Sequence, residues 1–123
     1  MSFEKLRVYQ AAELMQSLVE QLLERAPGVS AKDADQLRRA SASVPYNIAE
    51  AFGSEHPGQK IYHLGIARGS ADETRAILRK LAKTGALSPA TATRPSILAR
   101  TVAKMLTSWI DALREKPLDD KTD

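Results

Sequence analysis

The chain contains no cysteine, only two histidines, and six aromatic residues among its 123 positions. Without thiols it can form no disulfide, no thiolate metal site and no cysteine nucleophile. That composition fits a reducing cytoplasm, which is the expected location. The N-terminal segment MSFEKLRVYQ lacks the basic head and apolar run of a secretory leader, so none is expected. No uncharged apolar stretch approaches the roughly 20 residues of a membrane span, and no membrane partner is expected.

Catalytic motifs are missing too. His56 and His63 form neither H-E-x-x-H nor the Glu-x-x-His pairs of di-iron bundles. There is no G-x-S-x-G elbow and no phosphate loop ending in G-K-[ST]. Arg38, Arg39 and Arg68 have no histidine closely following them, unlike the motif of some small helical ribonucleases. No catalytic constellation, cofactor site or metal site is expected, and the protein is not expected to be an enzyme.

What is present is helix. Leu6, Tyr9, Met15, Leu18, Val19, Leu22 and Leu23 recur at three- and four-residue steps, and Pro27-Gly28 ends that first segment. Ser30 can cap a second helix, with Asp33 in its first turn, running from about Ala31 to Phe52 before Gly53. Pro57-Gly58 reads as a turn, so a third helix is expected from about Gln59 to Lys83. Residues Leu87 to Pro95 read as a connector or a frayed helix start, with Pro95 suited to the first turn of the fourth helix. It carries Leu98, Val102, Met105, Leu106, Trp109 and Leu113, and Lys116-Pro117 stops it. The length suits one domain. The expected fold is therefore all-α, an up-down four-helix bundle over residues 1–116, followed by a polar C-terminal tail, 117–123.

The net charge is +3, but its distribution is uneven. From Lys60 to Lys104 there are nine basic residues against two acids, Asp72 and Glu73, whereas the last thirteen residues hold five acids and three bases. At about 100° per residue, the third helix gathers Leu64, Ile66, Ala67, Ser70, Ala71, Thr74, Ile77, Leu78, Leu81 and Ala82 within one wide apolar arc. Arg68, Asp72, Arg75, Arg79 and Lys83 fall on the other side. That basic stripe suits phosphate contacts, or it is a solvated helix surface. The wide apolar arc leans toward contact with another subunit, the alternative being plain core of a small bundle.

The second helix holds the most unusual stretch, RRASASVPYNIAEAFG, with a proline in its middle. Leu37, Val44, Ile48, Ala51 and Phe52 share one face, and Arg39, Ser43, Tyr46 and Glu50 the opposite one. Pro45 removes a backbone donor and crowds the Ser41 carbonyl. Small neighbours leave room for a bend and for close approach of the third helix, which has its own small run including Gly65 and Gly69. Arg38, Arg39, Asn47 and Glu50 are expected to form a polar network at the bend. It would act as a helix or subunit clamp, or face a phosphate.

FEKLRVYQAAELM followed by QLRRASASVPYNIAEAFG resembles the four-helix-bundle proteins of the 23S rRNA intervening-sequence family. Arg38, Arg39, Ala40, Ser43, Pro45, Asn47, Ile48, Ala49 and Glu50 match that family's second-helix motif. Tyr9 stands where the family usually has tryptophan, and IYHLGIARGSADE is similar to its third helix. Two departures matter: Ala51 replaces a glycine, and Ser54-Glu55-His56 replaces residues that are commonly basic. The resemblance implies a protomer that assembles into a ring-like homopentamer with no established enzymatic activity. A relative, the accessory variability determinant of diversity-generating retroelements, binds nucleic acid and a reverse transcriptase. The partners implied here are other copies of the chain, RNA or DNA, and a reverse transcriptase or other protein. The alternative is a structural or protein-partner scaffold that binds no nucleic acid.

Overall fold

Proline, glycine and serine decide where the helices begin and end. The computed structural model describes residues 1–115. It contains α1 (Arg7–Glu24), α2 (Ala31–Gly53), α3 (Pro57–Lys83) and α4 (Pro89–Arg114), preceded by a 3-10 turn at Phe3–Lys5. The expected tail, 117–123, lies outside the described residues.

Ser30 Oγ accepts the Asp33 N–H at 3.1 Å and caps α2 as expected. Two expected boundaries move. Helix α3 starts at Pro57 rather than Gln59, because a proline at the first helical position needs no N–H and already has helical φ. Helix α4 starts at Pro89, well before Pro95, because Ser88 Oγ accepts the Thr91 N–H at 3.1 Å and caps a helix there. Pro95 is carried inside α4, buried. Gly85 ends the turn after α3 with φ +83°, a conformation that side chains with a Cβ disfavour.

Each helix packs against its neighbours in the chain, and α4 returns onto α1, while the diagonal pairs do not meet. Short connections make each neighbour antiparallel, which gives an up-down bundle. At one end the core is alanine-rich, with Ala12, Ala51, Ala67, Ala71 and Ala99 around Met15, Ile48, Leu64 and Leu106. At the other end it is leucine-rich, with Leu22, Leu23, Leu37, Leu78, Leu81 and Leu87. Leu37, Val44, Ile48 and Ala51 are fully buried as expected, whereas Phe52 is half-buried. Trp109 packs against the core but is only partly buried. Tyr9 meets Phe3 edge-on at 4.9 Å, and burial, then Glu13 and Glu4, push its phenol pKa up. No described helix is long and apolar enough to cross a membrane.

Candidate functional site

Two sides of α3 gather the residues singled out in the sequence. On the α2 side, short polar side chains interlock. Helix α2 runs through Pro45 without interruption, and Pro45 is buried. Two residues on, the Asn47 Nδ2 donates to the Ser43 carbonyl at 2.9 Å and to Ser43 Oγ at 3.0 Å. Because a carbonyl only accepts, this fixes the Asn47 amide and turns Oδ1 toward His63 Nδ1, 3.1 Å away. His63 therefore carries its proton on Nδ1, and in the neutral ring Nε2 holds the lone pair. Ser70 Oγ donates to Ser43 Oγ at 2.9 Å, and Thr74 Oγ1 donates to the Ser70 carbonyl at 2.8 Å. These bonds form one seam from His63 through Asn47, Ser43 and Ser70 to the buried Thr74. Every buried side-chain polar atom among the described residues has a partner.

The expected network of Arg38, Arg39, Asn47 and Glu50 does not close within one chain. Arg38 reaches Glu20 on α1 at 3.4 Å. Arg39 sends two N–H groups to Asp35 Oδ2, at 2.7 and 3.1 Å, one turn back on its own helix. Glu50 is exposed, and its carboxylate makes no ion pair among the described residues. The reason is register: Arg39 and Glu50 are eleven positions apart on one helix, too far for contact, and α3 brings His63 rather than a cation toward Asn47. Lys60 instead caps α2, donating to the Ala51 and Phe52 carbonyls at 3.0 and 3.2 Å, where a cation suits the helix C-terminus.

Close packing does not explain Gly65 and Gly69. A Cβ on either would meet nothing within 4 Å. Both face outward, and only Ser70 and its buried neighbours in that small run approach other helices. Near them the α2/α3 side exposes Tyr46 by 65%, Tyr62 by 66% and Ile66 by 36%.

On the α4 side, α3 carries arginine. Arg68 is half-buried, and its Nη1 donates to Thr107 Oγ1 on α4 at 3.2 Å. Arg75 lies 3.7 Å from Asp72, a loose exposed pair of small energetic value. Arg75, Arg79, Ser96 and Ile97 line a groove of about 670 Å³ between the two helices. Arg79 and Lys83 are exposed and make no ion pair among the described residues.

Two further cations belong to this side. Ser96, Arg100, Ala103 and Thr107 recur at helical spacing on α4, and Ser96 and Thr107 both face α3. Arg100 therefore lies between them. Lys104 shares a stripe with Ile97, two turns earlier. Both are exposed. The signal for them was the same excess of basic residues up to Lys104; what the sequence lacked was the register between α3 and α4. The groove itself is lined by the guanidinium groups of Arg75 and Arg79 and by the Asp72 carboxylate, and Arg100 and Lys104 extend the positive charge along α4 beyond it. No group of histidine and carboxylate side chains among the described residues is arranged to hold a metal ion.

Comparison with known proteins extends this picture. A crystal structure of a protein of unknown function from the S23 ribosomal protein family of Bacteroides thetaiotaomicron superposes with a TM-score of 0.78. The match covers 84% of this chain and 97% of that one at 23% identity, a likeness of fold. No curated protein matches. Residues 4–108, which hold the proline-centred stretch, both sides of α3 and most of α4, match the sequence model of a single family. The chain belongs to the 23S rRNA-intervening sequence protein family.

Proposed function

We propose that the protein is a non-enzymatic, cytoplasmic binding protein that assembles with copies of itself and holds nucleic-acid phosphates on its α3/α4 side. The observation that carries this reading is the groove between α3 and α4. Arg75 and Arg79 line it, Lys83 continues the stripe, and Arg79 and Lys83 have no carboxylate partner among the described residues. Charge left unpaired on a concave surface attracts phosphate. Such contacts position a strand without reading its bases, so binding is weakly selective and falls steeply with salt. Fluorescence anisotropy with labelled RNA and duplex DNA, at low and physiological salt, tests this. Wild-type protein binds, and Arg75→Glu/Arg79→Glu abolishes binding while keeping its helical circular dichroism. Unchanged affinity in that variant overturns the reading.

The α2/α3 side supports self-assembly. It exposes Tyr46, Tyr62 and Ile66, and Glu50 has no cation partner among the described residues. A second copy would cover the rings and supply that cation; the resemblance implies five copies. Light scattering of wild-type protein and of Glu50→Ala and Tyr46→Glu is the check. Both substitutions lower the mass of the assembly, and a mass unchanged in both removes this side from the interface.

A further inference from the structure

On the other side of α4, where the α1–α2 and α3–α4 connections meet, lies a cleft of about 410 Å³. That is the size of a small-molecule site. Its walls are apolar: Leu18 and Leu22 from α1, Leu87 from the connection, and Pro95 from α4. The two connections approach closely beside it, where a Cβ on Gly28 would come within 3.4 Å of the Ala86 carbonyl. At the rim stand Arg25 and Arg94, both exposed, and no carboxylate among the described residues lines the cleft. Neither arginine makes an ion pair among the described residues.

A third donor comes from a hydroxyl pair. Ser88 Oγ and Thr91 Oγ1 lie 2.7 Å apart, and Ser88 Oγ also accepts the Thr91 N–H. Two hydroxyl protons are present and one is used between the oxygens, so the second is free to be donated. Apolar walls with two guanidinium groups and a hydroxyl at the rim match a ligand with one apolar and one anionic end. We propose that this cleft binds a small organic anion, an apolar body bearing a phosphate or carboxylate group. Its apolar end sits against Leu22 and Leu87, and its oxygens accept from Arg25, Arg94 and the hydroxyl pair. The site shares no residue with the groove on the α3 side of α4 and does not depend on nucleic-acid binding.

The probe is phenyl phosphate, titrated into full-length ¹⁵N-labelled protein. Amide shifts at Gly28, Ser88 and Thr91 are expected, saturating with a Kd of about 1 mM, ordinary for a ligand of this size. Phenol and inorganic phosphate, each carrying half of the chemistry, bind more weakly. Arg25→Ala/Arg94→Ala weakens phenyl phosphate about tenfold or more. Arg75→Glu/Arg79→Glu leaves it unchanged, which separates this site from the nucleic-acid reading. The proposal is overturned by absent shifts at those amides, by shifts centred on Arg75 and Arg79, or by equal affinity in the Arg25→Ala/Arg94→Ala protein.

Discussion

Helix α3 meets α2 through a seam of hydroxyls and an amide, and meets α4 beside a row of arginines, of which Arg68 donates to Thr107. On the first side, the exposed Glu50 apart, the polar groups singled out are matched inside the chain: Asn47 to Ser43 and His63, Ser70 to Ser43, Lys80 to Asp33 at 3.2 Å. On the second, Arg79, Lys83, Arg100 and Lys104 carry charge with no ion pair among the described residues. Satisfied buried groups fix one register between helices, because any slip leaves them unpaired and costly. Unpaired surface cations add little to stability and remain available to something outside the chain. The first side fixes the register of the fold, and the second is the side to which the proposed nucleic-acid contacts are assigned.

The comparison breaks most readily at Asn47. Asn47→Ala removes the amide that ties Ser43 to His63, in a residue only 7% exposed. It is expected to cost about 1–3 kcal/mol in urea unfolding while leaving RNA affinity intact. A cost near zero would mean that water replaces the amide and that the seam does not set the register. Next is the Ser43–Ser70 contact. Ser43→Ala and Ser70→Ala should each lose about 1 kcal/mol, and the double variant should lose less than their sum because they share one hydrogen bond. Strict additivity would show that the two hydroxyls act independently. Smallest, and opposite in sign, are Gly65→Ala and Gly69→Ala. Open space surrounds both positions, so each is expected to raise stability by up to about 1 kcal/mol. If either variant assembles less well despite a higher melting temperature, the bare outer strip of α3 lies in a subunit contact.

Much of this was legible from residue spacing. Three- and four-residue periodicity placed Leu37, Val44, Ile48, Leu64 and Leu78 in the core, because burial of a helix face depends on that helix alone. The basic stripe of Arg68, Arg75 and Arg79 was visible for the same reason. Partners across helices were not. Arg38 with Glu20, Asn47 with His63 and Arg68 with Thr107 depend on how antiparallel helices slide past one another, and one sequence does not state that. Spacing leaves Leu87 to Pro95 open between connector and helix start, and the Ser88 cap before Pro89 decides for helix. Arg100 and Lys104 were counted as charge but not placed, since their side of the bundle follows from α4 meeting α3.

The most direct test compares two arginine pairs in one assay. RNA affinity would be measured for Arg75→Gln/Arg79→Gln and for Arg38→Gln/Arg39→Gln, beside wild type, at low and physiological salt. Arg38 and Arg39 already pair with Glu20 and Asp35, so their loss should leave affinity and salt dependence unchanged. Loss of Arg75 and Arg79 should weaken binding about tenfold or more and make it less sensitive to salt. Weakening confined to the Arg38/Arg39 protein, or equal in both, would contradict the assignment of binding to the α3/α4 side.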